Sequence, residues 1–194
     1  MKRLLSTPLS LLGLAPLLGA SDLLVKALGL ALAGLPVLAG FGLLLSLTYT
    51  RISGTAYWLA ALLSACTLVS CADLLMQAFA FELHRALGPF LALLILPCLQ
   101  LTLGEPQRPS TGLTLGLIFA LCALLLGALR ETLGSGTLFA RMDWLFGQNA
   151  AHWQLDLAHF SGLQLFAHAS GAFILLGLLL AGGRRLFTVK IDHS

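Results

Sequence analysis

The sequence predicts an all-α integral membrane protein with six transmembrane helices, arranged as two inverted three-helix repeats in which the first helix of each repeat is broken. Two observations carry this fold class. The 194-residue chain is 58% hydrophobic and only 10% charged, whereas soluble domains carry about 25% charged residues. Proline also interrupts apolar segments at corresponding places in the two halves, at 13–17 and at 95–99.

The number of spans follows from the lengths of the apolar stretches. A bilayer core needs about 20 mostly apolar residues per helix. Six stretches meet this requirement: 4–20, 23–47, 56–82, 86–103, 111–132 and 163–187. Little chain remains for a soluble domain, so we predict a single transmembrane domain over 1–194.

Pro16 and Pro97 mark the two helix breaks. A proline inside a lipid-embedded helix removes an amide donor and frees a carbonyl, which lipid cannot compensate. Such breaks persist where protein or a cavity surrounds them, and a pair of breaks three spans apart is typical of an inverted repeat with a site at the midplane. We therefore predict one repeat over about 4–82 and the second over about 84–187.

The charges exclude one class of function and predict an orientation. The net charge of +3 comes from scattered residues with no Lys/Arg block, which argues against nucleic-acid binding. Seven basic residues fall on one face of the predicted membrane domain: Lys2, Arg3, Arg51, Arg108, Arg184, Arg185 and Lys190. Four fall on the other: Lys26, Arg85, Arg130 and Arg141. Because basic loops stay in the cytoplasm, both termini are predicted to be cytoplasmic.

The first stretch also has the composition of a signal peptide. A cut after Ala20 would place the bulky Leu18 three positions before the scissile bond, where a small residue is expected. We therefore expect this stretch to stay as a helix.

Asp73 is the one acid near the centre of a predicted span, and Gln77 follows one turn later. A carboxylate at membrane depth costs about 2.5–3.5 kcal/mol on insertion scales, so it should face a cavity or a polar partner. Two interpretations stay open: a path for an ion or proton, and packing as a hydrogen-bonded acid against a neighbouring donor.

Arg130 and Glu131 close the fifth stretch, before the glycines Gly134 and Gly136. An arginine in a last helical turn suits the helix dipole, whereas a glutamate does not, so we expect Glu131 to have a cationic partner. The glycines form no dinucleotide fingerprint, since no strand precedes them and Phe139 stands where a third glycine is needed.

The remaining polar and aromatic residues have no clear pattern of ligands. The five histidines show no metal-ligand spacing, and Cys66, Cys71 and Cys122 fit helix packing. Between the last two spans, the aromatic segment at 141–160 predicts either an interfacial or re-entrant element or an ordered external loop.

Taken together, the chain resembles the integral membrane subunits of the Rnf and Nqr electron-transport complexes, in the branch that contains the E subunit of Rnf and the D subunit of Nqr. The resemblance covers almost the whole length, and Arg130-Glu131 followed by the Gly-Ser-Gly-Thr-Leu-Phe run at 134–139 is its most specific part. Further matching stretches lie at 11–18, 77–83, 87–88 and 171–173.

The resemblance implies a six-helix inverted-repeat subunit that pairs with a homologous sister subunit in the bacterial cytoplasmic membrane. In that family each partner supplies one cysteine from each broken helix, and four thiolates hold a 2Fe-2S cluster between the subunits. This chain departs from the pattern at both positions. Ala15 replaces the first cysteine, and Cys98 keeps the second but follows Leu96-Pro97 in place of Thr-Asn.

The sequence therefore predicts an integral subunit of an Rnf-type complex that couples electron transfer to ion transport, with Cys98 as a possible cluster ligand and Asp73 as a candidate on the ion path. Two alternatives remain: a cofactor-free assembly subunit of such a complex, and a stand-alone inverted-repeat transporter.

Overall fold

The computed structural model describes residues 13–49, 51, 52, 54–103, 109–146, 154–156, 166 and 168–189, and most of them are helical. The helices are α1 (Ala15–Ala20), α2 (Leu24–Tyr49), α3 (Thr55–Phe79), α4 (Phe81–Leu87), α5 (Ile95–Thr102), α6 (Pro109–Ser135), α7 (Asp143–Phe146) and α8 (Ala169–Val189). Two 3-10 turns, Gly88–Phe90 and Ala92–Leu94, join α4 to α5, and two short strands are β1 (Thr137–Leu138) and β2 (Leu155–Asp156).

Three of the described helices, α2, α3 and α6, are long and apolar enough to cross a membrane. The segment from α4 to α5 bends by 56° and makes a fourth span if its two arms are taken together. Helix α8 has a shorter apolar stretch, Ser170–Leu179. The prediction of an all-α membrane protein is confirmed. Three to four of the six spans are found, and most of the first predicted stretch lies outside the described residues.

The two prolines that predict breaks each lie in the first turn of a helix. Pro16 is near the start of α1, and Pro97 is the third residue of α5. The first four amides of a helix have no intrahelical acceptor, so a proline there loses no hydrogen bond. The bend in the second segment lies at Leu91, between Phe81–Phe90 and Ala92–Thr102. Pro97 is six residues further on, inside the second arm, so the prediction that it marks the break was wrong. The chain before Gly13 lies outside the described residues, so the break at Pro16 stays a prediction.

Helices α2 and α6 cross antiparallel at the centre of the described fold. A Cβ added to Gly42 would meet Gly112, one added to Gly34 would meet Phe119, and one added to Gly127 would meet Ala27. Positions late in α2 thus contact positions early in α6. At the closest point a Cβ on Gly112 would lie 2.7 Å from the Gly42 Cα, so the two backbones require glycine here.

Helix α3 lies at the outside of the described fold. Its buried residues are Ala61, Ala65 and Val69, whereas Leu63 is 73% exposed and Leu74 63% exposed. The helix ends at Phe79, three residues before the predicted end of its span, because the backbone turns at Ala80 (φ −142°, ψ 65°) into α4.

The described parts of the aromatic segment form a folded loop. Strand β1 pairs antiparallel with β2, with Thr137 opposite Asp156. Helix α7 packs on α2 and α4, and the Arg141 guanidinium carbon lies 5.3 Å from the centre of the Trp144 ring. Trp153 and Phe160 lie outside the described residues, so the choice between an interfacial element and an external loop stays open.

Candidate functional site at the helix breaks

The structure brings the two predicted breaks together. Gly13, just before α1, lies against α5: a Cβ at Gly13 would overlap the side-chain oxygen of Gln100 and would lie 3.5 Å from the Pro97 Cα. At the other end of α1, a Cβ at Gly19 would overlap the ring of Phe90. The first broken segment is therefore packed along the second.

Cys98 and Ala15 lie on these two packed segments, α5 and α1. The Cys98 side chain is fully buried, and its carbonyl accepts a hydrogen bond from Thr102 Oγ1 at 3.1 Å. Ala15 is partly buried and offers no metal-binding atom. Among the described residues no group of three or more His, Cys, Asp or Glu side chains is placed to hold a metal ion.

These residues fit a shared four-thiolate cluster poorly. The chain offers one sulfur in place of two, and a ligand to a cluster between subunits must reach the surface of its own subunit. The Cys98 side chain is instead enclosed by its own chain.

Arg130 of α6 connects the end of α1 to the start of α8. Its side chain is 3% exposed. Nη1 donates to the Leu18 carbonyl at 3.2 Å and to Ser21 Oγ at 3.0 Å. Nε donates to the Phe166 carbonyl at 3.2 Å, and Nη2 to the His168 carbonyl at 3.4 Å. The guanidinium thus donates hydrogen bonds to the end of α1 and to the segment before α8, and it joins the two.

Glu131 is fully buried. Whereas Arg130 donates to carbonyls, Glu131 accepts hydrogen bonds from backbone amides. Its Oε2 accepts the amide of Leu24, the first residue of α2, at 2.6 Å. Its Oε1 accepts the amide of Ala140 at 2.7 Å. One carboxylate therefore caps α2 and fixes the loop after β1.

No cationic partner of Glu131 is found among the described residues; there the carboxylate accepts two backbone amides instead. One oxygen is taken by the amide of Leu24, which is free to bond because the first N–H groups of a helix have no intrahelical acceptor. The other is taken by the amide of Ala140 in the loop after β1. Near this point Asp22 Oδ2 pairs with Lys26 Nζ at 2.8 Å, while Asp22 Oδ1 is buried without a hydrogen-bond partner in the described residues.

The glycines of the family motif lie where α6 ends and the chain leads into β1. Gly134 is in the last turn of α6, three residues after Glu131. Gly136 has φ +66°, a left-handed conformation that glycine adopts without steric cost. Phe139 and Arg141 also have positive φ, at 63° and 60°. Glu131 holds the amide of Ala140 between them.

The sequence placed Asp73 near the centre of its predicted span. In the structure it lies six residues before the end of α3. Its side chain is 45% exposed, and Oδ1 lies 2.9 Å from Nε2 of His84 on α4. The turn at Ala80 makes this contact possible. In one continuous helix, residues eleven apart would be about 16 Å apart along the axis.

Sequence reasoning missed His84, Ser21 and Gln100 as members of these contacts. In a continuous helix Asp73 and His84 would lie on the same face but three turns apart, too far for contact. A break predicted between them would have brought the two side chains together. Nothing local in the sequence signals that Arg130 meets Ser21, since the two are 109 residues apart.

Comparison with known proteins finds relatives that match most of the chain. Residues 6–180 match the family described as "Rnf-Nqr subunit, membrane protein". The chain is 42% identical over 185 residues to a Pseudomonas aeruginosa (strain LESB58) protein named as the E subunit of an ion-translocating oxidoreductase complex. The match covers 91% of this chain and 78% of that protein.

Proteins of the same name from two other bacteria match this chain with similar identity and coverage. The one from Haemophilus ducreyi is 39% identical over 180 residues, with 88% of this chain and 79% of the relative covered. The one from Cellvibrio japonicus is 37% identical over 181 residues, with 88% and 76% covered. The match spans both breaks, the Arg130-Glu131 motif and α8 up to residue 180, and the chain therefore belongs to the Rnf-Nqr subunit family of membrane proteins.

Proposed function

We propose that this chain is the E subunit of an Rnf-type complex, which couples electron transfer to ion translocation across a membrane. The observation that carries the proposal is the 42% identity over 91% of the chain to a protein named as this subunit. The name of that relative also implies further subunits, and we expect one of them to be a homologous sister membrane subunit.

The test is purification of the tagged chain from native membranes. Co-purification of redox subunits, together with electron-driven ion uptake in reconstituted vesicles, supports the proposal. A stable protein that purifies alone and transports a solute supports the alternative of a stand-alone transporter. A complex that assembles with this chain but needs none of its polar residues for turnover supports the cofactor-free assembly role.

The proposed architecture is six helices in two inverted repeats, at 4–82 and 84–187. The antiparallel crossing of α2 and α6 supports it, since each is the long helix that follows a break and they run in opposite directions, as inverted repeats require. The packing of Gly13 against Pro97 and Gln100 supports a common site for the two breaks.

The proposed location is the bacterial inner membrane with both termini in the cytoplasm, because basic residues divide seven to four between the two predicted faces. Reporter fusions after Ser53 and after Ser194 should both report cytoplasm. Translocation of either reporter would contradict the orientation or the span count.

For Asp73 we propose a role on the ion path. Its half-exposed carboxylate and the contact with His84 support an ionisable site at membrane depth. Asp73→Asn should reduce ion uptake more than it reduces assembly of the complex, with Glu82→Gln, an exposed acid nearby, as the matched control. Unchanged uptake in a fully assembled Asp73→Asn complex would assign the residue to packing.

The proposal of a 2Fe-2S cluster rests on Cys98 alone, and the burial of Cys98 favours a complex without a cluster at this interface. Iron and acid-labile sulfide in the purified complex decide between the two. If a cluster is held, Cys98→Ser should lower its signal while Cys66→Ser leaves it unchanged. If neither the native complex nor Ala15→Cys contains iron at this interface, the cluster is excluded for this protein.

A further inference from the structure

One edge of α3 carries three polar side chains beside a largely apolar outer surface. Ser70, Asp73 and Gln77 fall within an arc of about 60° when the helix advances about 100° per residue. Ser70 and Gln77 are exposed, and the Asp73 side chain is 45% exposed. We call these three residues the polar edge of α3. It lies beside the face that packs inward through Ala65 and Val69.

The depth of the polar edge in the membrane matters because lipid hydrocarbon offers no hydrogen-bond partner to these side chains. Helix α3 has 25 residues, a length of about 37 Å, against a hydrocarbon core of about 30 Å. Ser70 and Asp73 lie roughly 14 Å and 9 Å from the end of the helix at Phe79, so both fall within the hydrocarbon. Gln77 lies about 3 Å from that end, at the boundary of the hydrocarbon. A polar group there needs a partner in protein or water.

Among the described residues, the polar edge has one such partner, His84. Elsewhere on α3, Ser64 and Thr67 donate to the carbonyls of Ala61 and Leu63, three or four residues earlier. In the described part of the chain, the side chains of Ser70 and Gln77 make no hydrogen bond, and Asp73 uses only Oδ1, toward His84. A hydroxyl, an amide and one carboxylate oxygen therefore point outward together.

We infer that the polar edge of α3 is a docking surface for a transmembrane helix of another subunit of the complex. The inference rests on the proposed function for the existence of that subunit. The partner helix presents hydrogen-bond donors toward Asp73 and a donor or acceptor toward Ser70 and Gln77. Hydrogen bonds of this kind hold membrane helices together. The neighbouring leucines, such as Leu74 at 63% exposure, supply the apolar contact.

A photo-reactive residue introduced in the full complex in native membranes tests this inference. With p-benzoyl-phenylalanine in place of Ser70, illumination should produce an adduct with another subunit. The matched control places the same residue at Cys71, which is also exposed and is the next residue, so it lies at similar depth. Cys71 is about 100° further around α3, away from the polar edge. We expect no adduct with that subunit from Cys71. Adducts with lipid only, or with a second copy of this chain, from the Ser70 position would overturn the inference.

A second measurement does not depend on the photo-reactive residue. Ser70→Ala removes the hydroxyl, and it should lower co-purification of the partner subunit roughly threefold, the typical contribution of one such hydrogen bond. Cys71→Ala should leave co-purification unchanged. Equal recovery with Ser70→Ala and wild type would also overturn the inference. If the wild-type chain recovers no subunit at all, the proposed function fails instead, which separates the two conclusions.

Discussion

Replacing Glu131 should destabilise the protein in proportion to the backbone amides left without an acceptor. Glu131 is fully buried, and its two oxygens accept the amides of Leu24 and Ala140 at 2.6 and 2.7 Å. An unsatisfied buried donor costs about 1–3 kcal/mol. Glu131→Gln keeps one acceptor and turns an NH2 group toward the other amide, so we expect a loss of about 1–3 kcal/mol. Glu131→Ala removes both acceptors, and the loss should be about twice as large, roughly 2–6 kcal/mol.

The free energy of unfolding of the purified protein, measured by SDS titration in mixed micelles, tests this order. The control is Glu82→Gln, since Glu82 is an exposed acid in the first turn of α4, and exposed substitutions of this kind change stability by about 0.5 kcal/mol or less. If Glu131→Ala costs no more than Glu82→Gln, the carboxylate does not cap α2. If Glu131→Gln costs as much as Glu131→Ala, the charge matters and the number of acceptors does not.

Three further substitutions test other parts of the fold by the same titration. Arg130→Lys should cost about 1–3 kcal/mol, because one ammonium cannot reach the carbonyls of both α1 and the start of α8; wild-type stability would contradict the role of the guanidinium fork. Gly112→Ala should lower stability or prevent folding, because its Cβ would lie 2.5 Å from the Leu38 carbonyl oxygen, while Gly177→Ala, with open space around it, should be tolerated; equal effects would argue against the close crossing of α2 and α6. Gly136→Ala should cost about 1 kcal/mol for the left-handed backbone, and no loss would indicate that the loop relaxes.

Apolar length predicted the helices well, because the hydrophobic requirement of a bilayer is local in sequence. The predicted stretch 23–47 corresponds to α2 and 111–132 to α6, each extended by a few residues. The end of α3 was less predictable, since the apolar composition continues through Ala80 into α4 although the backbone turns there.

The polar contacts were the least predictable part. The sequence singled out Glu131 as needing a partner, and dipole reasoning then suggested a cation. Its actual partners are two backbone amides. One lies nine residues later, in the loop after β1. The other lies 107 residues earlier, and only the tertiary packing of α6 beside the start of α2 brings it to Glu131. Likewise Asp73 was recognised as exceptional, but its contact with His84 depends on the bend between α3 and α4.

The contacts of Arg130 and Glu131 set an order of events during synthesis. The amide of Leu24 leaves the ribosome 107 residues before the carboxylate that accepts it, which at about 5–20 residues per second is a delay of roughly 5–20 s. During that interval the carbonyl of Leu18 and the amide of Leu24 have neither of these partners and must rely on water or on the insertion machinery. The first half of the chain therefore enters the membrane before these contacts exist. The end of α1 and the start of α2 reach their final structure only after α6 has been synthesised.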